Sequence, residues 1–233
     1  MKILEKDIFD KSLVEIEAKC DIFYYLVEVN ATETLQDVLT EINDETWLNE
    51  LDIIDSVSYR ARREKTVKKM VYNITHKRDD FEVIGEYIVS KEGRRALECG
   101  YGMKSIPLAE LWKERVSGNG SFDFHAEDIK DFLIVFGEAK YNSHSNPYDD
   151  AIDQVNRFID DKKDKQDLVD LKPFANKQSL LNCINGKKSF AISFSIKAQN
   201  KNLIIKNAVK YCKESKILDC DNLYVIGVVI NDK

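Results

Sequence analysis

Two hydrophobic periodicities alternate along the chain. Residues 21–29 (DIFYYLVEV), 189–198 (SFAISFSIKA) and 223–230 (LYVIGVVI) are rich in β-branched and aromatic side chains, which is typical of strands. Residues 58–74 (SYRARREKTVKKMVYNI) and 81–98 (FEVIGEYIVSKEGRRALE) repeat apolar positions every three or four residues. That spacing predicts amphipathic helices.

The order of these elements predicts the fold class. Residues 131–140 form the most apolar strand, which runs from Phe132 to Phe136 without a polar residue and pairs back as a hairpin with residues near 123. Helices predicted at 146–161 and 202–215 alternate with the remaining strands. The pattern indicates an α/β fold with a mixed central sheet flanked by helices.

Two regions are predicted within this fold. Residues 1–80 are expected to form an N-terminal α+β lobe, and residues 81–233 a second domain that carries the hairpin. Within the second domain, the charged span at 161–172 (DKKDKQDLVDLK) is predicted to separate the hairpin region from the last strands.

Composition limits the class of protein. Of 233 residues, 43% are hydrophobic and 33% charged, which is typical of a globular chain, and no apolar run reaches the roughly 20 residues of a membrane span. The five cysteines are odd in number and form no C-x-x-C pair, which argues against a disulfide scaffold or a zinc ribbon. Since the N-terminus also lacks a signal-peptide pattern, we expect a cytoplasmic protein with no membrane association.

The charge balance limits how the chain could meet nucleic acid. The net charge is −6, whereas a protein that grips DNA alone over a long footprint is normally basic. Residues 60–69 nevertheless carry six bases and one acid. This run is either a solvated helix face or a contact for phosphates or an acidic partner surface.

Candidate chemistry lies at the end of the apolar strand. Side-chain alternation places Glu138 and Lys140 on the face that carries Phe136. Both could simply mark where the strand reaches water, but Asp123 lies on the predicted neighbouring strand, across a connection formed by residues 125–131. Two adjacent carboxylates repel each other unless a hard cation such as Mg²⁺ binds between them. A lysine beside such an ion can stabilise charge on a phosphate, so the set predicts phosphodiester hydrolysis.

The spacing of Asp123, Glu138 and Lys140 resembles the signature of the PD-(D/E)xK nuclease superfamily, although Phe122 stands where that signature usually has proline. The resemblance implies a restriction-endonuclease-like core, Mg²⁺ or Mn²⁺ as cofactor, and a metal-ligating acid on the preceding helix, for which Glu86 is the candidate. It also implies a glutamine on the following helix, where Gln154 lies in AIDQVNRF. Glu86 could instead be a solvent-facing carboxylate of its helix, and Gln154 could likewise have no role beyond its helix. His125 is interpreted as a histidine at the end of the hairpin. Three other acids compete with Glu86 for the ligand position: Glu92, Glu98 and Glu110.

A narrower resemblance covers most of the chain. The segments GEYIV, GSFDFH and LIVFGEAKY are similar to those of the HamA family, the nuclease subunits of Hachiman antiphage defence systems. That resemblance implies a DNA nuclease whose activity is controlled by a superfamily 2 helicase partner of the HamB type. Two other classes stay open, namely a stand-alone restriction or repair endonuclease and a non-catalytic interaction module on a nuclease-derived fold.

Overall fold

The computed structural model describes residues 1–76, 81–113 and 120–231. Within these ranges the strands are β1 (Lys2–Ile8), β2 (Asp21–Asn30), β3 (Lys104–Ser105), β4 (Phe124–Asp128), β5 (Leu133–Lys140), β6 (Ser189–Ser195) and β7 (Asn222–Asn231). The α-helices of the same ranges are α1 (Ala31–Asn43), α2 (Ile53–His76), α3 (Phe81–Tyr101), α4 (Ala109–Trp112), α5 (Tyr148–Asp160), α6 (Lys163–Gln166), α7 (Leu168–Leu171), α8 (Lys177–Ile184) and α9 (Lys201–Tyr211). None of these helices has both the length and the apolar composition needed to cross a membrane.

The strands form one mixed sheet in the order β1-β2-β7-β6-β5-β4-β3. β2, β7, β6 and β5 run parallel to one another, whereas β1, β4 and β3 each pair antiparallel with their neighbour. Helices connect the parallel strands, as parallel pairing requires. The predicted α/β class with a mixed sheet is therefore confirmed.

The N-terminal region contributes strands to this same sheet. β2 pairs with β7 along its full length, from Asp21 opposite Asn222 to Asn30 opposite Asn231. The boundary predicted near residue 80 falls at residues 77–80, which lie outside the described residues. The division into 1–80 and 81–233 stays a prediction.

The central strand β5 is covered on both faces. Ile134 and Phe136 belong to the apolar cluster that α5 joins, whereas Val135 and Ala139 belong to the cluster that α3 joins. Burial of the three larger side chains, Ile134, Val135 and Phe136, contributes about 1.5–3 kcal/mol each. Packing on both faces holds β5 in place, so the residues at its end have fixed positions.

The hairpin before β5 differs from the prediction. Residues 125–128, predicted as part of a polar connection, belong to β4, because His125 and Glu127 find buried partners instead of water. Phe132, predicted to enter the core, adopts a left-handed φ of 54° in the turn and is 37% exposed. A tight turn between antiparallel strands requires such a residue, and the strand begins one residue later, at Leu133.

The charged span at 161–172 is not a separator. It folds into α6 and α7, and three of its charged residues are buried. Asp164 pairs with Lys188, which lies directly before β6. A run of charges can be buried when other parts of the chain supply partners, as Lys188 does for Asp164 and Lys113 does for Asp167. The buried residues are Lys163, Asp164 and Asp167.

Candidate active site

The hairpin of β4 and β5 brings Asp123 and Glu138 together. Phe124 lies opposite Gly137 in the antiparallel register, so Asp123 and Glu138 occupy the next positions outward. The Asp123 amide donates a hydrogen bond to the Gly137 carbonyl at 2.9 Å, and Oδ2 of Asp123 accepts one from the Ala139 amide at 3.0 Å. The carboxylate of Asp123 is thereby fixed beside the backbone of Glu138.

Gly137 permits this close approach. A Cβ atom at position 137 would lie 2.2 Å from Cε2 of Phe124, well inside van der Waals contact. The ring of Phe124 packs across the missing side chain, and this contact holds the start of β4 against β5. A larger residue at 137 would push apart the two strand ends that carry the carboxylates.

Glu138 is a fully buried carboxylate with incomplete hydrogen bonding. Its Oε1 atom accepts a hydrogen bond from Nζ of Lys140 at 2.8 Å, whereas Oε2 meets no hydrogen-bond donor in the described part of the chain. Burial, and then the nearby charge of Asp123, raise the pKa of Glu138 well above its usual value. An ionised Glu138 is therefore costly in this position unless a cation binds it.

Lys140 provides one such cation. Its side chain is 19% exposed and lies at the end of β5, with Nζ 2.8 Å from Glu138 and 3.8 Å from Oε1 of Glu86. Burial acts to lower the pKa of Lys140, but the charges of Glu138 and Asp123 outweigh burial and raise it. The ammonium group therefore remains positively charged beside the carboxylate pair.

Helix α3 carries Glu86 to the rim of this cluster. A Cβ atom at Gly85 would lie 2.2 Å from Cγ of Tyr141, so the helix packs closely on the residue that follows Lys140. The Glu86 side chain is 51% exposed at this contact. Of the upstream candidates, Glu86 is thus the acid that the structure shows paired with Lys140.

The three competing acids occupy other surroundings. Glu92 is buried and accepts a hydrogen bond from Oγ1 of Thr34 at 3.2 Å. Glu98 lies on the exposed face of α3, in a pocket that Glu41 also lines. Glu110 is buried and lines a separate pocket together with Lys113.

Gln154 lies on α5, near the segment that precedes Asp123. It is half-buried, and its Nε2 atom lies 4.0 Å from the position that a Cβ atom of Gly120 would take. The amide therefore faces the segment that leads to Asp123. No hydrogen bond between Gln154 and Asp123, Glu138 or Lys140 is found over the described ranges.

The carboxylates of Asp123 and Glu138 could bind a hard divalent cation that takes few of its ligands from the protein. No group of three or more His, Cys, Asp or Glu side chains arranged to hold a metal occurs among the residues described. Mg²⁺, however, is usually held by one or two carboxylates, while waters and substrate phosphates complete its octahedron. Asp123 and Glu138, with Oε2 of Glu138 buried and lacking a donor, suit this mode of binding.

A buried polar cluster behind the hairpin was not predicted. Nζ of Lys113 donates hydrogen bonds to Oδ2 of Asp167 at 2.6 Å, Oγ of Ser121 at 2.8 Å and the Phe122 carbonyl at 3.2 Å. Ser121 donates to Oδ1 of Asp167 at 2.6 Å, and Nε2 of His125 lies 3.2 Å from Oδ2. The cluster fixes the two residues that precede Asp123, so it helps to position the candidate ligand.

Burial controls the ionisation of this cluster. For His125, burial and then the charge of Lys113 lower the pKa to about 4, so the imidazole is neutral and donates from Nε2 to Asp167. Burial opposes the ionisation of Asp167, but the His125 hydrogen bond and the charge of Lys113 outweigh it and lower the pKa of Asp167. His125, predicted at the end of the hairpin, is instead the buried second residue of β4.

Replacing Asp167 with asparagine is expected to destabilise the fold by about 3 kcal/mol, because it removes the carboxylate charge that lies 2.6 Å from the buried ammonium group of Lys113. Urea unfolding followed by circular dichroism measures this change. Asp170→Asn is the matched control, since Asp170 pairs with Arg62 at 3.2 Å on the partly exposed surface and should cost less than about 1 kcal/mol. Equal losses in the two variants would contradict the assignment.

Comparison with known proteins found no relative of this chain. The sequence matches no family model, no curated protein and no solved structure. Interpretation of the site therefore depends on its residues and their geometry.

Proposed function

We propose that the chain is a metal-dependent nuclease that hydrolyses phosphodiester bonds in DNA, on a restriction-endonuclease-like core. One observation carries the proposal. The buried carboxylate of Glu138 lies beside Asp123 at the ends of two paired strands, with the Lys140 ammonium 2.8 Å from Glu138. Two carboxylates and a lysine in this arrangement suit a cation and a phosphate better than they suit a strand end exposed to water.

Each residue has a proposed part in hydrolysis. Asp123 and Glu138 would hold Mg²⁺ or Mn²⁺, which when bound polarises a phosphate oxygen and lowers the pKa of a water molecule. Lys140 donates hydrogen bonds to the attacking water and stabilises negative charge on the phosphate. Glu86 extends the acidic set on the exposed side of the cluster, and the Gln154 amide lies where it can contact a neighbouring phosphate.

The purified chain tests this proposal directly. We expect it to cleave labelled single-stranded or double-stranded DNA when Mg²⁺ or Mn²⁺ is added, and to stop when a chelator removes the ion. Gel analysis of the products, with and without metal, measures this activity. Failure to cleave either substrate with either ion, alone and with a co-purified partner, would contradict the proposal.

We further propose that a superfamily 2 helicase is the partner, as the HamA resemblance implies. The net charge of −6 supports this, because acids at a metal site repel DNA and a partner can supply the missing affinity. DNA titrations of the isolated chain and of a co-expressed pair, at one fixed salt concentration, compare the two states. Tight binding by the isolated chain that the partner does not change would favour a stand-alone endonuclease.

One observation favours the non-catalytic alternative. Over the described ranges, fewer than three His, Cys, Asp or Glu side chains cluster as possible metal ligands. A degenerate site that no longer binds metal would show the same arrangement. A metal titration separates the two readings. A nuclease should be stabilised against heat by Mg²⁺ or Mn²⁺ in proportion to occupancy, whereas an interaction module should not respond.

A further inference from the structure

A positively charged pocket lies next to the carboxylate cluster. It has a volume of about 510 Å³ and is bounded by α2, α3 and the end of α4. In a chain of net charge −6 this is a local reversal of sign, and a recessed site with one sign of charge concentrates ligands of the other. We call it the basic pocket; its charged lining residues are Arg62, Lys65, Lys69, Lys113 and Glu110.

Two of the cations that line the basic pocket have no acidic partner within the described ranges, unlike their neighbours on α2. Elsewhere on α2, Arg60 and Arg63 pair with Glu45, and Lys68 pairs with Glu64. These ion pairs neutralise much of the positive charge of the basic run at residues 60–69.

Lys65 and Lys69 differ from those neighbours. Both are exposed, lie one helical turn apart on the face that lines the pocket, and make no ion pair with any acid in the described part of the chain. Two ammonium groups directed into a recess and left unpaired are available to an external anion.

Two residues that line the basic pocket are linked to the candidate active site. Lys113 lines the pocket, and its Nζ also donates to the Phe122 carbonyl at 3.2 Å, one residue before Asp123. Tyr87 lines the pocket too, and the preceding residue, Glu86, lies 3.8 Å from Lys140. An extended polyanion held at the carboxylates would therefore pass the basic pocket.

We propose that the basic pocket binds backbone phosphates of the nucleic-acid strand whose scissile phosphate lies at Asp123 and Glu138. The inference rests on the proposed nuclease function and deepens it by assigning a phosphate subsite to Lys65 and Lys69. Compact, flexible ammonium groups suit phosphates without selecting a base sequence. They also offset the repulsion that the carboxylates impose on the same strand.

The test removes both charges and measures DNA binding. Lys65→Gln/Lys69→Gln is compared with Lys206→Gln/Lys210→Gln, since the second pair has the same spacing on α9, is exposed, and has no ion pair within the described ranges. Fluorescence polarisation of a labelled oligonucleotide is followed in the presence of EDTA, so that no cleavage occurs. Equal melting temperatures of the variants and the wild type establish that each remains folded.

We expect the pocket variant to bind about tenfold more weakly at about 0.1 M salt, and the slope of log affinity against log salt to fall by about 2. The control pair should change neither quantity. Equal affinity and equal slope in the pocket variant and the wild type would overturn the proposal.

Inorganic phosphate distinguishes the two possible sources of the anion. We expect it to bind only weakly and to compete with DNA. If it stabilises the wild type but not the pocket variant, while both bind DNA equally, the pocket is a small-anion site and the proposal is overturned.

The two proposals fail in different ways. Loss of DNA binding in the pocket variant, in a chain that cleaves no DNA, would support the phosphate subsite and reject the nuclease. Metal-dependent cleavage with the same KM in the pocket variant and the wild type would support the nuclease and reject the subsite.

Discussion

Replacing Glu138 with glutamine is expected to reduce the proposed metal-dependent cleavage on the order of 10³-fold or more, because the variant removes the charge of a proposed metal ligand. The same change should stabilise the metal-free protein by about 1 kcal/mol. Glutamine keeps the shape of the side chain, and it does not place a second negative charge beside Asp123 in a fully buried position. Loss of activity together with a gain in stability is the mark of a functional carboxylate.

Cleavage assays and melting curves with and without Mg²⁺ measure both effects. The wild type should melt at a higher temperature in Mg²⁺, and Glu138→Gln should lose that increase. Asp131→Asn is the control, since Asp131 lies exposed in the turn of the same hairpin and should change neither activity nor the metal response. An undiminished metal-induced increase in Glu138→Gln would reject Glu138 as a ligand.

The hairpin geometry could be predicted because it depends on local rules. Strand alternation alone places Glu138 and Lys140 on the face of Phe136, and a short connection forces the preceding segment to lie beside β5. The observed register agrees with this, since Phe124 lies opposite Gly137 and Asp123 follows at the strand end. The proximity of Asp123 and Glu138 also requires β4 to extend from Phe124 to Asp128, whereas residues 125–128 were predicted as part of a connection.

The supporting cluster could not be predicted because its members are far apart in the chain. Asp167 lies more than forty positions from His125 and in a span whose composition resembles a solvated linker. Only the tertiary fold brings the carboxylate of Asp167, which lies between α6 and α7, to Lys113. Composition reports the charge of a segment, whereas burial depends on whether a partner elsewhere satisfies that charge.

Strand β1 was missed for a related reason. Its residues are mostly exposed, because it is the edge strand of the sheet and pairs only with β2. An edge strand with charged side chains lacks the apolar alternation by which strands are recognised. Phe132 is the opposite case. Its apolar side chain is typical of a strand, but its backbone forms the turn before β5.

The charge distribution links the site to its surroundings. The carboxylates at the strand ends repel a phosphate backbone, whereas Lys140 and the basic pocket attract it. A divalent ion would offset the negative charge of the carboxylates beside Lys140. DNA affinity should therefore be greater with metal than without it.

Replacing Lys140 with methionine is expected to lower the cleavage rate about 10²- to 10³-fold and to change DNA affinity by less than about threefold. In the proposed mechanism the ammonium acts on charge that develops during the reaction, so its loss should affect kcat more than binding. Lys140→Arg should recover only part of the rate, because a planar guanidinium cannot occupy the compact position 2.8 Å from Glu138. Single-turnover cleavage and polarisation binding measure the two quantities separately.

Lys197→Met is the matched control for this experiment. Lys197 is exposed, and its Nζ lies 5.2 Å from the ring centroid of Tyr141, the residue after Lys140, so the control removes a cation at the same end of the sheet. It should leave the cleavage rate within about twofold of the wild type, since screening by salt weakens the effect of an exposed charge. If Lys140→Met cleaves as fast as Lys197→Met, Lys140 is an ordinary strand-end cation that neutralises Glu138, and catalysis must depend on the carboxylates alone.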